Sequence, residues 1–186
     1  LAAVRPNYAT NSETPKALGC ATSFVDLAFD HGFAIDVARI AAQIRPNTRL
    51  ISVTCPHNPT GTMMSQADLD ALVSLAESRQ CHLLVDETYR DLSYGQRLPS
   101  AASLSPKAIS VSSLSKAFGI PGIRIGWLVT RDTARETFLA AGEQIGICGS
   151  VIDEGIARGM LERRDAFLAA RLPAMARRRN IVQALA

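Results

Sequence analysis

Three short apolar runs, each closing on a cluster of polar residues, constrain this chain more than any other feature. Leu50-Ile51-Ser52-Val53-Thr54 runs into Cys55-Pro56-His57-Asn58-Pro59-Thr60-Gly61. His82-Leu83-Leu84-Val85 runs into Asp86-Glu87-Thr88-Tyr89, and Ala108-Ile109-Ser110-Val111 into Ser112-Ser113-Leu114-Ser115-Lys116. Apolar runs of this length, alternating with helical periodicity, predict the buried strands of a mostly parallel α/β sheet. Ligands of such sheets sit outside the carboxyl ends of the strands, so three polar clusters at three such ends can converge on one ligand.

The intervening segments agree. Phe24-Val25-Asp26-Leu27 is expected to be a short strand, and Ile35 to Ile44 shows helical spacing through Val37, Ile40, Ala41 and Ile44, ending before Pro46. Ser65 with Asp68 three residues on predicts a capping-box start for a helix that buries Leu69, Leu72, Val73, Leu75 and Ala76. Past a loop around Leu98-Pro99-Ser100, strands near Ile109 and Trp127 flank the lysine segment, and helices resume from about Thr133. One helical run is expected from Ser150 towards Ala186, with Pro173 as its kink or break. The expected organisation is thus a domain over residues 1–150 followed by a helical segment over 151–186.

Lys116 sits among small hydroxyl residues directly after a strand, eight residues before Arg124 in Gly122-Ile123-Arg124-Ile125-Gly126-Trp127. A lysine so placed suits Schiff-base formation, and hydroxyls with a guanidinium suit a phosphate. Taken singly, each cluster also has an ordinary reading: a loop lysine, a turn at Asn58-Pro59, a capping carboxylate at Asp86, a half-buried Tyr89, a surface ion pair at Arg124. His57 is read as a loop residue.

Taken together and in this order, Asn-Pro-Thr-Gly, Asp-x-x-Tyr, Ser-x-x-Lys and Arg resemble the large domain of the fold-type I pyridoxal-phosphate aminotransferases, class I/II. The resemblance implies a three-layer α/β/α sandwich around a mostly parallel sheet, apparently incomplete here. It implies pyridoxal 5'-phosphate as cofactor, with Lys116 as the Schiff-base lysine and the base that moves the substrate α-proton. Asp86 would pair with the pyridine nitrogen; a carboxylate within about 4–6 Å can raise a cation's pKa by roughly 1–3 units. Tyr89 and Asn58 would hydrogen-bond the ring's phenolic oxygen, and Ser113 and Arg124 would hold the phosphate, with Ser115 as a weaker candidate. An amino acid and a 2-oxo acid are the implied substrates and a homodimer the implied assembly. Lyase, cyclase or decarboxylase chemistry on the same cofactor stays open, as does a non-catalytic ligand-sensing module.

Composition narrows the alternatives. A length of 186 residues suits one domain with a real core, and a net charge of +3 is too small to suggest a nucleic-acid partner. The arginines at 163, 164, 171 and 177–179 are expected to be a solvated helix face. Cys20, Cys55, Cys81 and Cys148 show no metal-ligand spacing, so no metal is expected, and inert thiols in the cytoplasm are. No apolar run is long enough to suggest a membrane partner. Because the first residue is Leu1 and Pro6-Asn7-Tyr8 resembles a mid-domain segment of the family, the chain is expected to be a fragment. The phosphate-binding glycine turn, the ring-stacking aromatic and the arginine for the substrate carboxylate would lie outside it.

Overall fold

The computed structural model describes residues 1–93, 97–131 and 133–185. Its strands are β1 (Ala2–Arg5), β2 (Ser23–Asp26), β3 (Leu50–Thr54), β4 (His82–Asp86), β5 (Ala108–Ser113) and β6 (Gly126–Val129). They form one sheet in the order β2-β1-β3-β4-β5-β6. All neighbours are parallel except β6, which runs antiparallel to β5. Helices α1 (Ala9–Ala17), α2 (Val37–Gln43) and α3 (Gln66–Ser78) fall between the early strands. Helices α4 (Thr133–Gly146), α5 (Val151–Glu162) and α6 (Arg164–Gln183) follow the last one.

Strand register decides which residues share a face. Ile51 pairs with Leu83, Val53 with Val85, and Leu83 in turn with Ala108. Successive strand residues alternate sides, so these five lie on one face. All five are essentially sealed from solvent and pack with Ile40 of α2 and Leu69, Leu72, Val73 and Ala76 of α3. Fully burying an aliphatic side chain of this size contributes about 1.5–3 kcal/mol, so this face carries most of the stability. The opposite face shows Leu50, Ser52, Thr54, His82, Leu84, Asp86, Ile109 and Val111. Helix α1 reaches it through Asn11 Nδ2, which donates to Thr54 Oγ1 at 3.3 Å. Helix α4 reaches it where Ala134 and Phe138 line a crevice with Leu50, His82 and Ile109. Helices on both faces make the three expected layers. A second, smaller core joins the lysine loop to the last helices: Leu114, Ala117 and Phe118 pack on Ala157 and Leu168, with the Phe118 and Phe167 rings stacked 5.9 Å apart.

The expected elements shift locally. The first expected strand starts one residue earlier, at Ser23, and α2 starts at Val37 because Asp36 caps it, its Oδ1 accepting from Arg39 N–H at 3.0 Å. The Ser65–Asp68 capping box is present in both directions. β1 and α1 were not read from the sequence: β1 is four residues long, and Pro15 inside α1 hides its helical character.

The expected single helix over 150–186 needs correction. It breaks at Arg163, whose N–H closes onto the Met160 carbonyl at 3.2 Å, while Pro173 lies inside α6. A proline costs the helix one hydrogen bond but need not end it. Ala186, at the end of that expected run, lies outside the described residues.

Candidate active site

Each polar cluster follows the carboxyl end of its strand, and local hydrogen bonds set its shape. After β3, the loop folds on itself: Gly61 N–H donates to the His57 carbonyl and His57 N–H to the Thr62 carbonyl, each at 2.8 Å. Gly61 has φ +74°, a left-handed backbone that favours glycine. His57 is buried, its Nδ1 lying 2.8 Å from Thr60 Oγ1. Burial pushes its pKa below the ordinary histidine value, against an opposing pull from the Pro6 carbonyl. Asn58, next to it, is half-buried.

After β4, Asp86 and Glu87 part company. Asp86 is on the polar face, level with Thr54 and Val111 on its neighbouring strands, and its Oδ1 accepts from Thr88 N–H at 3.0 Å. Glu87 is buried on the other side, where Oε1 accepts from Ser110 Oγ at 2.6 Å and from Ala101 N–H at 2.7 Å. Its Oε2 lies 3.8 Å from Arg90 Nε. Tyr89 is half-buried at the start of the helical turn Arg90–Leu92.

After β5, the buried side chains of Leu114, Ala117 and Phe118 anchor the loop and leave Lys116 exposed between them. Ser113 Oγ accepts from Ser115 N–H at 3.3 Å. The chain returns beside this loop, with Leu114 N–H bonded to the Ile125 carbonyl at 3.1 Å. There Arg124 takes a left-handed φ of 53°, and its guanidinium donates to the Pro121 carbonyl at 2.8 Å. Gly126 lets the strands close up, because a Cβ there would lie 3.0 Å from the Ser112 carbonyl oxygen.

Asn58 and Tyr89 share the wall of one cleft of about 490 Å3. Asp86 lies at the end of the adjacent strand, and Ser113, Ser115 and Lys116 follow the end of the next one over. The guanidinium of Arg124 is held at Pro121, and among the described hydrogen bonds none joins it to Ser113. Three side chains here have a setting that their sequence patterns do not announce. Glu87 could have been found from strand alternation, which must turn it away from Asp86. Arg179, expected on a solvated face, is exposed and also lines the cleft with Asn58 and Tyr89. Two neighbours in that basic stretch are also engaged: Arg164 pairs with Asp91, and Arg171 donates to the Phe118 carbonyl at 2.9 Å. The burial of His57 had no sequence signal, since it depends on how its loop closes over it.

Residues 2–185 match the family described as aminotransferase class I and II. The chain belongs to that family. Among similar aminotransferase-family proteins, capreomycidine synthase of Streptomyces vinaceus is 30% identical over 90% of this chain and 43% of its own length. A PLP-dependent aminotransferase structure from Streptococcus suis superposes with a TM-score of 0.85 at 30% identity, covering 91% of this chain and 45% of that one. The N-succinyldiaminopimelate aminotransferase of Mycobacterium tuberculosis does so with a TM-score of 0.91 at 26% identity, covering 98% and 49%. The chain therefore spans about half the length of the relatives it matches. Among the described residues, no helix is long and apolar enough to cross a membrane, and no group of His, Cys, Asp and Glu is placed to hold a metal ion.

Proposed function

We propose that the protein containing this chain is a pyridoxal-phosphate-dependent aminotransferase, moving an amino group between an amino acid and a 2-oxo acid. The observation that carries the reading is the placement of Asn58, Asp86 and Lys116 at or just past the carboxyl ends of three adjacent parallel strands. The donor set fits the cofactor: a carboxylate for a ring nitrogen, an amide and a phenol for a ring oxygen, a hydroxyl and a guanidinium for a phosphate, and an amine for an aldehyde. When bound, the cofactor supplies the electron sink that makes the substrate α-proton acidic.

The chain's own residues do the rest. Lys116 is exposed at a loop whose neighbours are buried, so its amine is presented to a ligand on a rigid base and can take and return a proton at the substrate α-carbon. Asp86, its carboxylate oriented by Thr88 N–H, would keep the ring nitrogen protonated. Asn58 and Tyr89 would fix ring tilt from the shared cleft. Ser113 and Arg124, with Ser115 beside them, would hold the phosphate, Arg124 turning from the Pro121 carbonyl to do so.

A homodimer agrees with the exposed apolar side chains of Ile145, Ile147, Val151 and Ile152. Four free thiols agree with a cytoplasmic location. A second reading, other bond-breaking chemistry on the same cofactor, is favoured by the likeness to a relative named a synthase. The test is borohydride reduction of the cofactor-loaded protein followed by peptide mapping. Label on the peptide holding Lys116 supports the site, and label on Lys107 or elsewhere overturns it. Following product with and without an added 2-oxo acid separates the two reactions: turnover that ignores the oxo acid is not transamination.

A further inference from the structure

We propose that Arg171 is a positioning residue for Lys116: from α6 it holds the turn that presents the lysine amine to the cofactor. The inference rests on the aminotransferase reading of Lys116. Arg171 lies 53 residues beyond Phe118 in the chain, yet its Nη1 donates to the Phe118 carbonyl at 2.9 Å. The turn it grips also closes through its own backbone: Gly119 N–H donates to the Lys116 carbonyl at 3.1 Å, and Ile120 N–H to the Leu114 carbonyl at 3.3 Å. Gly119, with φ +70°, makes room for the contact, because a Cβ there would lie 2.7 Å from the central carbon of the guanidinium.

Arg171 is placed for this contact rather than for an ion pair. Among the described residues no carboxylate pairs with it, and its Nε is buried without a hydrogen-bond partner. The Phe118 carbonyl and the Phe167 ring, whose centroid is 5.9 Å from the guanidinium carbon, are what offset its desolvation. The helix behind it is anchored. Arg164, seven residues earlier and on the same face, pairs with Asp91, and Leu168 between them is buried against Leu114, Ala117 and Phe118. The guanidinium therefore ties the exit of the lysine loop to a fixed strut, and a charged donor holds that carbonyl more firmly than a neutral one would. Lys116 is exposed between buried neighbours, so its amine is aimed only as well as the turn beneath it is held.

The experiment compares the full-length protein with Arg171→Met, which keeps bulk but not the donor. The first readout is hydrogen exchange of the peptide spanning 114–120, expected to speed up about tenfold or more on loss of a charge-assisted hydrogen bond, with the β3 and β4 peptides unchanged. The second is capture of pyridoxal phosphate: cofactor-free protein is mixed with it, quenched with borohydride at set times, and the label on Lys116 counted. Arg171→Met should lower the limiting capture rate about tenfold, as misplacement of a reacting group does, and leave the half-saturating concentration within about twofold because Ser113 and Arg124 are untouched. Arg171→Lys, which keeps a charged donor, should recover most of both losses. Either readout within twofold of wild type in folded Arg171→Met overturns the proposal. Equal losses in Arg171→Lys and Arg171→Met overturn it too, since packing rather than the donated hydrogen bond would then be at work. Should Arg171→Met not fold, Arg171→Gln, whose neutral amide is shorter, takes its place in both comparisons. Labelling of wild type separates the two failures: missing label on Lys116 sinks the aminotransferase reading, whereas intact label with unchanged exchange or capture in the variant sinks the role of Arg171 alone.

Discussion

The two faces of the central sheet divide the work between them. On one, Ile51, Val53, Leu83, Val85 and Ala108 are sealed beneath α2 and α3. On the other, Leu50, Leu84 and Val111 stay half-buried beside Thr54, Asp86 and Ser113, and α1 and α4 cover them less completely. Neighbouring residues of one strand therefore meet different physics: Leu83 and Asp86 differ in task because an odd number of pleats separates them. The sealed face is where stability is concentrated, and the open face and its carboxyl rim are where charge can be presented to a ligand.

The strongest way to break this comparison is a matched pair on β4. Leu83→Ala is expected to cost about 2–5 kcal/mol, the range for emptying a buried leucine site, while Leu84→Ala costs less than about 1.5 kcal/mol. Urea midpoints at constant slope measure both, and equal losses would show the faces to be packed alike. The rim offers the complementary pair. Asp86→Asn should slow transamination by about 10²–10³-fold, the size of losing one preorganised electrostatic partner, with cofactor still bound and the melting temperature little changed. Unaltered turnover under saturating cofactor would remove Asp86 from the chemistry.

Glu87→Ala, one residue on but facing the core, should act in the opposite sense. It leaves the Ser110 hydroxyl and Ala101 N–H without their acceptor, at a cost of about 1–3 kcal/mol in stability. Chemical denaturation checks this, and Glu87→Gln should recover part of the loss by keeping an acceptor oxygen.

pH sharpens the comparison further. Burial lowers the pKa of both His57 and His82. Below roughly pH 6.5 the unfolded chain takes up protons that the folded chain resists, so stability is full above that value and declines as pH falls through it. Urea midpoints at pH 7.5 and 5.5 should show the decline, and His57→Gln should reduce it; a flat profile in wild type would contradict the assigned burial.

The smallest effect belongs to the exposed apolar edge. Ile152 is 78% exposed, so Ile152→Ser should change stability by no more than about 0.5 kcal/mol. It should instead reduce self-association of the 186-residue chain, read by analytical ultracentrifugation.

Much of this organisation was legible because it obeys short-range rules. The runs at 50–54, 82–85 and 108–111 are apolar and brief, and Ser65 with Asp68 announces a helix start that needs no tertiary partner. β1 escaped notice because Ala2-Ala3-Val4-Arg5 is too short to show a period, and α1 because of Pro15. The helix breaks at Arg163 rather than at Pro173, the visible breaker, because its end rests on a turn closing at Met160.

The sequence by itself determined the alternation of strands and helices and the order in which Asn58, Asp86, Tyr89, Ser113, Lys116 and Arg124 appear, since both are properties of spacing and side-chain chemistry along the chain. Tertiary packing alone sets the register that puts Asp86 and Glu87 on opposite faces, the burial that lowers the pKa of His57, and the folding-back of α6 that carries Arg179 to the cleft of Asn58 and Tyr89. That cleft is lined by residues as far as 121 positions apart in the numbering, from 58 to 179, and local preference along a chain carries no information about such distances.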